Sequence, residues 1–302
     1  MTNFYCMSLF GWKGARLRVF LGIVFFSIAC EKQVEPPVEN LPPPALHYRT
    51  YELPKSTVRT LLIPSQGSWT VEPALSSGVS SLEVFAQKHR AIAVINGGFF
   101  DPLNQQSTSY LIQNGQTVAN PKENKRMMDN PDLAPYLPQI LNRSEWRRYR
   151  CGKTLRYAIA PHQTSPPQNC QLLDALGGGP QLLPELTAVR EGFVTEVKGV
   201  RIRDPLGRDR ANSRSAVGIT RDGSLLLAMA AQKPNPSNNG GLSLPEFAAF
   251  LKGLGVENAL NLDGGTSSAF YYQGTTFYGK LDEASNSRSR PVKSVLLVRE
   301  NP

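Results

Sequence analysis

The stretch ALNLDGGTSS, residues 259–268, places a short apolar strand directly before an acidic residue, Asp263, and a pair of glycines. The stretch AIAVINGGFF, residues 91–100, has the same design, with Asn96 before its two glycines. Apolar runs of this length that stop at a glycine pair are typical of buried strands that end in tight loops. We therefore predict that Asn96 and Asp263 end equivalent strands and lie close together.

A helix signal precedes each of these strands. Ser243 and Glu246 stand three residues apart, as do Ser80 and Glu83, and this is the spacing of a capping box at a helix N-terminus. Apolar residues at helical intervals follow both pairs. The sequence thus predicts two helix–strand–loop units that form related half-sites. The alternative is coincidence, because helix–strand pairs and Gly-Gly turns are common.

Further strands are predicted around these units by apolar runs and turn residues. They cover residues 61–63, 110–112, 154–160, 216–220, 224–230 and 292–298, with a hairpin turn at Arg221-Asp222-Gly223. Many strands with few helices indicate the α+β class. We expect a single domain over residues 47–302, with a mixed, largely antiparallel sheet and flanking helices.

The composition excludes several classes of protein. Of 302 residues, 40% are hydrophobic and 9% aromatic, which excludes a disordered chain. The net charge is +9, but residues 1–29 hold three basic and no acidic residues, so the remainder, with 30 basic and 24 acidic residues, carries +6. This excess is small and spread along the chain, so we expect no nucleic-acid partner. The three histidines are far apart in sequence, which argues against a histidine zinc site.

Residues 1–29 have the composition of an export signal, with basic residues before the apolar run Val19 to Ala29. The run is short for a membrane span, and it ends in Ser-Ile-Ala-Cys, which is similar to a bacterial lipoprotein processing site. We expect Cys30 to carry lipid and the proline-rich residues 30–46 to form a tether. The protein would then be an exported lipoprotein of the cell envelope, in the periplasm or at the cell surface. A plain signal peptide or an N-terminal anchor is the alternative.

With Cys6 removed and Cys30 lipidated, two cysteines of the predicted mature chain are left. Cys151 and Cys170 are an even pair in an oxidising compartment, so we predict a disulfide between them. The alternative is two unrelated buried thiols. Residues 120–150 are polar, with four arginines near Trp146 and Tyr149. They are predicted to form a solvated insertion, or otherwise a basic recognition patch.

Four glycine-containing strings carry the candidate chemistry: INGGFFD at 95–101, LGGGPQLL at 176–183, SRSAVGIT at 213–220 and NLDGGTSS at 261–268. Glycine runs let the backbone expose amides that can bind anions. The polar residues around them suit a phosphate joined to a sugar, because arginine grips phosphate oxygens and carboxylates handle protons; they are Asn96, Asp101, Arg214, Asp263, Ser267 and Ser268. The motifs of a P-loop, a dinucleotide fold and a serine hydrolase are missing.

Together and in this order, the four strings resemble the phosphodiester glycosidase family, over roughly residues 60 to 300. INGGFF and NLDGG followed by small hydroxyl residues are the most specific parts. The family usually has Pro-Arg-Thr where Ser213-Arg214-Ser215 stands, and often a third glycine where Thr266 stands. The resemblance implies hydrolysis of the bond between a sugar's anomeric carbon and a phosphodiester oxygen, with a carbohydrate or sugar phosphate as substrate.

The resemblance also implies roles for individual residues. Asp263 would be the catalytic carboxylate, as nucleophile or as base for water, with Asp101 as the second carboxylate and Arg214 on the phosphate. The substrate-binding residues would be Asn96, Gly97, Gly98, Gly178, Gly179, Gly264, Gly265, Thr266, Ser267 and Ser268. Each acidic residue could instead cap a turn, Arg214 could form an ordinary ion pair, and the glycines could be structural.

Two further functions stay open from the sequence. One is a non-catalytic lipoprotein that binds anionic glycans, and the other is an accessory protein of polysaccharide assembly that transfers a sugar. We expect no cofactor and no metal in the chemistry. Clustered Asp and Asn oxygens could nevertheless hold calcium, although an EF-hand pattern is missing.

Overall fold

The computed structural model describes residues 45–234, 240–282, 286–288 and 290–300, which belong to one compact unit. The predicted signal peptide, Cys30 and residues 31–44 of the predicted tether lie outside the described residues. Within the described part of the chain, no helix has both the length and the apolar character that a membrane crossing requires.

Strands dominate the described residues. The strands are β1 (His47–Glu52), β2 (Ser56–Ile63), β3 (Trp69–Ser80), β4 (Ala93–Asn96), β5 (Leu111–Gln113), β6 (Gln116–Ala119), β7 (Ser144–Cys151), β8 (Thr154–Pro161), β9 (Cys170–Gly177), β10 (Gln181–Leu183), β11 (Thr195–Val197), β12 (Val200–Arg203), β13 (Arg214–Thr220), β14 (Leu225–Gln232), β15 (Val256–Asn261), β16 (Ala269–Tyr272), β17 (Thr275–Tyr278), β18 (Lys280–Leu281), β19 (Ser287–Arg288) and β20 (Val292–Glu300). The α-helices are α1 (Leu82–His89), α2 (Lys125–Met128), α3 (Leu137–Ile140) and α4 (Leu244–Gly253).

These strands form three large sheets and two small hairpins. The first sheet has the order β1-β2-β14-β13-β15-β10, the second β17-β16-β4-β20-β3 and the third β6-β5-β9-β7-β8, while β11-β12 and β18-β19 pair alone. The α+β class and the single domain are confirmed. All pairings among the described strands are antiparallel, and the strands are distributed over three sheets rather than over one mixed sheet.

The first two sheets repeat one topology, as the sequence predicted. In the second sheet the chain runs from β3 through α1 to β4, and β20 lies between the two strands. In the first sheet it runs from β14 through α4 to β15, and β13 lies between them. A helical crossover therefore joins strands that are next-but-one neighbours in both sheets, and the loops after β4 and β15 hold corresponding places in the topology.

The two helices cover their sheets in the same way but begin differently. Ser243 and Glu246 form the predicted capping box at the start of α4. The box predicted from Ser80 and Glu83 is wrong, because Ser80 is the last residue of β3 and its hydroxyl contacts that of Ser76 at 2.9 Å. Helix α1 begins one residue later, with Ser81 as its N-cap residue.

The main core lies where the three sheets face one another. Its largest members are fully buried side chains from all three sheets: Leu61, Leu227, Ile95, Phe270 and Trp146. Two smaller cores lie under the helices, one between α4 and the first sheet and one between α1 and the second. The strand ends and their loops are thus held on a rigid frame, which fixes the positions of the side chains there.

The predicted solvated insertion is wrong for residues 144–151, which form β7 inside the third sheet. Arg147 and Arg148 are buried and paired with carboxylates. The Arg147 Nε atom lies 2.7 Å from Glu145, and the Arg148 Nε atom lies 2.6 Å from Asp174. Because each buried guanidinium has a carboxylate partner, a strand that is polar in sequence can occupy the interior.

The predicted disulfide is confirmed. Cys151 and Cys170 pair directly in the ladder between β7 and β9, and their sulfur atoms are bonded. The bond closes a loop of 19 residues that includes β8.

Removing this bond is expected to destabilise the protein. The double variant C151S/C170S should lose about 3 kcal/mol of unfolding free energy, because a loop of this length is no longer closed in the unfolded chain. Urea unfolding of the oxidised wild type and the double variant measures the difference. A reductant should weaken the wild type and leave the variant unchanged; equal stability of the two oxidised proteins would contradict the prediction.

Candidate active site

Asn96 and Asp263 lie together where two of the glycine loops meet. The Asn96 Nδ2 atom donates to the Asp263 carbonyl oxygen at 2.6 Å, and the Asp263 amide donates to the Gly97 carbonyl at 3.0 Å. The Asn96 Oδ1 atom accepts from the Ser215 hydroxyl at 2.6 Å and from the Ala269 amide at 3.1 Å. Asn96 is fully buried. It therefore ties three motifs together, and its substrate-binding role stays a prediction.

The residue equivalent to Asn96 in the repeat is Asn261, which the sequence analysis missed. Asn96 is the last residue of β4, and Asn261 is the last residue of β15. Asp263 lies two residues beyond that strand end. The Asn261 Nδ2 atom donates to the Gly179 carbonyl at 2.9 Å, so this asparagine also joins two loops. An asparagine at the end of each buried strand was the signal available in the sequence.

The amides of the six predicted substrate-binding glycines are all used within the protein. Gly97 and Gly98 donate to the carbonyl and the hydroxyl of Ser294 (2.7 and 3.1 Å), Gly178 to the Ser144 carbonyl (3.0 Å), Gly179 to the Asn261 carbonyl (2.8 Å), Gly264 to Asp263 Oδ1 (2.9 Å) and Gly265 to the Ser213 carbonyl (3.0 Å). Each of the six amides therefore already has an acceptor in this conformation, and the substrate-binding role of these glycines stays a prediction.

Close packing explains why glycine stands at these positions. A Cβ atom on Gly97 would lie 2.6 Å from the Ser294 hydroxyl, and one on Gly178 would lie 2.6 Å from the Asn261 carbonyl. A Cβ on Gly98 would overlap the Gly177 carbonyl. Only a residue without a side chain lets these backbones approach so closely.

A buried carboxylate that the sequence analysis missed organises the GGGP loop. The Glu191 carboxylate accepts from the Ser144 amide at 3.1 Å, the Ser144 hydroxyl at 2.8 Å and the Gln181 amide at 3.0 Å, and also from the Thr187 hydroxyl. Only 5% of Glu191 is exposed. Gly178 and Gly179 thus belong to a structural junction, and Glu191 is a structural residue because all its contacts are internal.

The Asp263 side chain is half-buried at the start of a short turn, and its environment changes its acidity. Burial raises the pKa of Asp263 to about 6, although hydrogen bonds from Ser267 and from the Gly264 amide and the charge of Arg290 act in the opposite direction. A carboxyl whose pKa lies near neutrality can exchange a proton at physiological pH. Asp263 is therefore the strongest acid–base candidate among the predicted site residues.

Arg290 lies beside this carboxyl and was missed by the sequence analysis. Its Nη1 atom donates to the Thr266 hydroxyl at 3.2 Å, and its guanidinium carbon lies 5.1 Å from the centre of the Phe100 ring. Arg290 is half-buried and two residues before β20, which pairs with β4. No sequence pattern pointed to it, because its nearness to Asp263 depends on that long-range pairing.

Arg214, the predicted phosphate ligand, has its guanidinium bonded inside the protein in this structure, and its phosphate role stays a prediction. Arg214 is 2% exposed, and its guanidinium donates to four backbone carbonyls, those of Leu242, Leu206, Gly207 and Arg210, at 2.8 to 3.1 Å. Burial lowers the pKa of Arg214 to about 10, with Asp204 acting against this shift and Arg210 adding to it. The backbone of Arg214 adjoins the site, but its charged group points into the protein and organises a loop.

Asp101, the second predicted carboxylate, belongs to a turn. It accepts from the Leu103 amide at 2.8 Å and pairs with the Arg126 Nε atom at 2.8 Å. Burial raises its pKa, but these two partners outweigh burial and hold the pKa of Asp101 below its usual value. Its carboxylate is thus occupied by structural contacts, which is the turn role that the sequence left open.

The hydroxyl residues after Gly265 have different surroundings. The Thr266 hydroxyl accepts from Arg290, and the Ser267 hydroxyl contacts Asp263. Ser268 is fully buried, and its hydroxyl oxygen has no partner among the described residues. Thr266 therefore remains a candidate for contact with substrate, and Ser267, which is 1% exposed, acts on the Asp263 carboxyl, whereas Ser268 is out of reach of a sugar in this conformation.

A model of the phosphodiester glycosidase family matches residues 89–299, which is more than half of the chain. The chain belongs to the phosphodiester glycosidase family. The match includes all four glycine strings. Membership of the family supports a hydrolase of the glycosidase type, and a glycan substrate is consistent with that family.

Among curated proteins, the chain is similar to N-acetylglucosamine-1-phosphodiester alpha-N-acetylglucosaminidase of Mus musculus, with 37% identity over 92 residues. That segment is 30% of this chain and 17% of the mouse protein, so the chain matches well under two thirds of its relative's length.

Solved structures of the same fold come from distant organisms. The zebrafish N-acetylglucosamine-1-phosphodiester alpha-N-acetylglucosaminidase catalytic domain, auto-inhibited by its pro-peptide, superposes with a TM-score of 0.62 at 19% identity, over 85% of this chain and 84% of that one. A putative exported protein of Burkholderia pseudomallei gives 0.60 at 16% identity, over 82% and 74%. A hypothetical protein from Synechocystis gives 0.56 at 18%, over 83% and 61%. At these identities the likeness shows the fold alone.

This family member has a threonine where the phosphodiester glycosidases often have a third glycine. Its hydroxyl is the acceptor for Arg290, so the departure adds a polar contact at the site. Within the described ranges, there is no group of three or more His, Cys, Asp or Glu side chains that could hold a metal ion. That calcium could be held by Asp and Asn oxygens stays a prediction.

Proposed function

We propose that this protein hydrolyses a sugar phosphodiester by cleaving the bond between the anomeric carbon and the phosphate oxygen. Water supplies the hydroxyl of the free sugar, and the leaving group is a phosphomonoester. The observation that carries the proposal is that one turn holds Asp263, a carboxyl with a raised pKa, and Thr266, which accepts a hydrogen bond from the half-buried cation Arg290; the charge of Arg290 acts on Asp263. Membership of the phosphodiester glycosidase family gives the reaction class.

The two charged groups match the two charges of the transition state. Cleavage of a glycosidic bond develops positive charge on the sugar ring, and in a phosphodiester the departing phosphate gains negative charge. The Asp263 carboxylate would face the ring, as nucleophile or as base for water. Arg290 would face the phosphate, where a fixed guanidinium stabilises developing negative charge. Phosphate leaves readily, so a strong general acid is a lesser requirement.

The direct test is hydrolysis by the purified protein. A panel of sugar 1-phosphate methyl diesters should release free sugar and methyl phosphate in equal amounts, each measured by chromatography. Binding of a diester without turnover would contradict hydrolysis and support the glycan-binding lipoprotein instead. Appearance of a sugar–alcohol adduct in the presence of an added alcohol would indicate a transferase.

Arg290 is expected to distinguish phosphodiesters from neutral glycosides. Replacing it by methionine should lower kcat/KM for the phosphodiester roughly 10- to 100-fold, because a charge-assisted contact to phosphate is lost. Any activity on a neutral aryl glycoside should be unaffected. The control R221M removes an exposed arginine in a turn, whose partner is Glu257. It should change neither the phosphodiester rate nor the neutral-glycoside rate. Equal losses on both substrates would show that Arg290 does not recognise phosphate.

We further propose that the substrate is an envelope glycan or glycoconjugate and that Cys30 anchors the protein at the membrane. The basic and apolar composition of residues 1–29 and the proline-rich residues 31–46 support this location. Metabolic labelling with a fatty-acid analogue should modify the wild type and not the C30A variant. Equal labelling of both would refute the anchor.

A further inference from the structure

A small cavity of mixed polar and apolar lining lies behind the loop that follows Gly98. It has a volume of about 160 Å³, and its walls include Lys293, Asn124, Gln106 and Ser107. None of these residues takes part in the proposed hydrolysis. The cavity is too small for a whole sugar phosphodiester, but it has room for one tetrahedral oxyanion.

Lys293 brings an uncompensated positive charge to this cavity. Only 9% of the residue is exposed, and its Nζ atom donates to the Ser77 carbonyl at 2.7 Å. An ammonium group has three N–H donors, so one backbone acceptor leaves most of its capacity unused. Burial lowers the pKa of Lys293 and no carboxylate opposes the shift, although the exposed Glu123 lines the rim. A buried charge without a counter-ion is costly, which favours binding of an anion.

Asn124 also lines this cavity, and it has a donor atom without a partner. It is 1% exposed, and its Nδ2 atom has no partner among the described residues. Its Oδ1 atom accepts from the Met127 amide at 3.3 Å and from the Asn104 Nδ2 atom at 3.0 Å. A backbone amide must face an oxygen, so the orientation of the Asn124 side chain is fixed and its nitrogen is the free atom.

We propose that this cavity is an anion site that binds a phosphate group through Lys293 and Asn124. Lys293 has N–H donors beyond the one that Ser77 accepts, the Asn124 Nδ2 atom has no acceptor, and phosphate oxygens accept several hydrogen bonds at once. Two sources present the same chemistry: free inorganic phosphate, and the phosphate of a phosphomonoester whose substituent stays outside. Binding here does not depend on the proposed hydrolysis, because Asp263 and Arg290 are not among the lining residues.

The site is connected to the catalytic loop through the next residue of β20. Ser294 accepts from the amides of Gly97 and Gly98 at 2.7 and 3.1 Å. On the other wall, Ser107 pairs with Phe100 in an isolated bridge. A bound phosphate would therefore contact residues next to both partners of the loop that leads from Asn96 to Phe100. Because it binds the folded protein, it would also raise the free energy of unfolding as its concentration rises.

Calorimetry and thermal unfolding with sodium phosphate, against sodium chloride at equal ionic strength, test the site. The wild type should show saturable binding and a rise in Tm. The variants K293M and N124D should bind at least tenfold more weakly. N124D keeps the acceptor for Met127 and replaces only the free donor, so it tests the site even if K293M fails to fold. The control K125M removes an exposed lysine nearby and should bind as the wild type does.

Methyl phosphate distinguishes the two sources. Binding of inorganic phosphate alone identifies the free ion as the ligand, and equal binding of methyl phosphate identifies a site that accepts a substituted phosphate. Absence of saturable binding of either to the wild type would overturn the proposal, as would unchanged binding in both K293M and N124D. D263N should retain phosphate binding, so a failure of the proposed hydrolysis would leave this result intact.

Discussion

Replacing Asp263 by asparagine is expected to lower kcat for sugar phosphodiesters by roughly 10²- to 10⁴-fold, which is the range for loss of a positioned acid–base group. If Asp263 is instead the covalent nucleophile, the loss should lie at the upper end or beyond. The Oδ1 acceptor for the Gly264 amide is retained in asparagine, so the turn should keep its shape. KM should change little, since the phosphate contact proposed for Arg290 is untouched.

The same variant should be more stable than the wild type at alkaline pH. The pKa of Asp263 in the folded protein is about 6, above the ordinary value of 3.8, so folding favours the protonated form. The folded protein therefore loses stability as the pH rises from about 4 through about 6. An uncharged asparagine avoids that loss, which is at most about 3 kcal/mol for a pKa raised from 3.8 to about 6 and is reduced by solvent screening of the half-buried carboxyl.

Urea unfolding at pH 8 and at pH 4, together with initial rates, measures both effects. D263N should gain stability at pH 8 and little or none at pH 4, while its activity is lost at both. D101N serves as the matched carboxylate control, because the Asp101 carboxylate is already bonded to the Leu103 amide and the Arg126 side chain. If D101N lowers kcat as much as D263N, the assignment of the catalytic carboxyl to Asp263 is wrong.

Replacing Arg214 by methionine is expected to cause the largest loss of stability. Four carbonyl oxygens would lose their donor inside the protein. An unsatisfied buried polar group costs about 1–3 kcal/mol, and the costs are not additive, so a total of about 4 kcal/mol is expected. Lysine should not rescue the variant, because its three donors sit on one atom and do not reproduce the planar fork.

Chemical unfolding of R214M, R214K and the wild type at low temperature gives the stability difference. The folded fraction of R214M should keep the wild-type ratio of phosphodiester to neutral-glycoside activity, unlike R290M. A stable R214M that specifically loses affinity for the phosphodiester would restore the phosphate role expected from its motif. The two arginines thus separate a structural effect from a recognition effect in one set of assays.

The sequence alone determined the features that depend on local order. The strands that end at Asn96 and near Asp263, the helix before each of them and the hairpin of β13 and β14 were all predicted, because apolar periodicity and glycine pairs act over a few neighbouring residues. The disulfide was predicted as well, since only one pair of cysteines remained in the predicted mature chain. Asp263 stood out because its motif is short and continuous.

Only the tertiary structure decided which charges face the interior and which face the site. Arg214 points inward because the loops around Gly207 and Leu242 offer it carbonyls, and Arg290 reaches Asp263 because β20 pairs with β4. Residues 144–149 can be buried because Asp174, on a neighbouring strand, neutralises Arg148. In each case the partner lies far away along the chain, and the energy of a polar side chain depends on partners that no local pattern specifies.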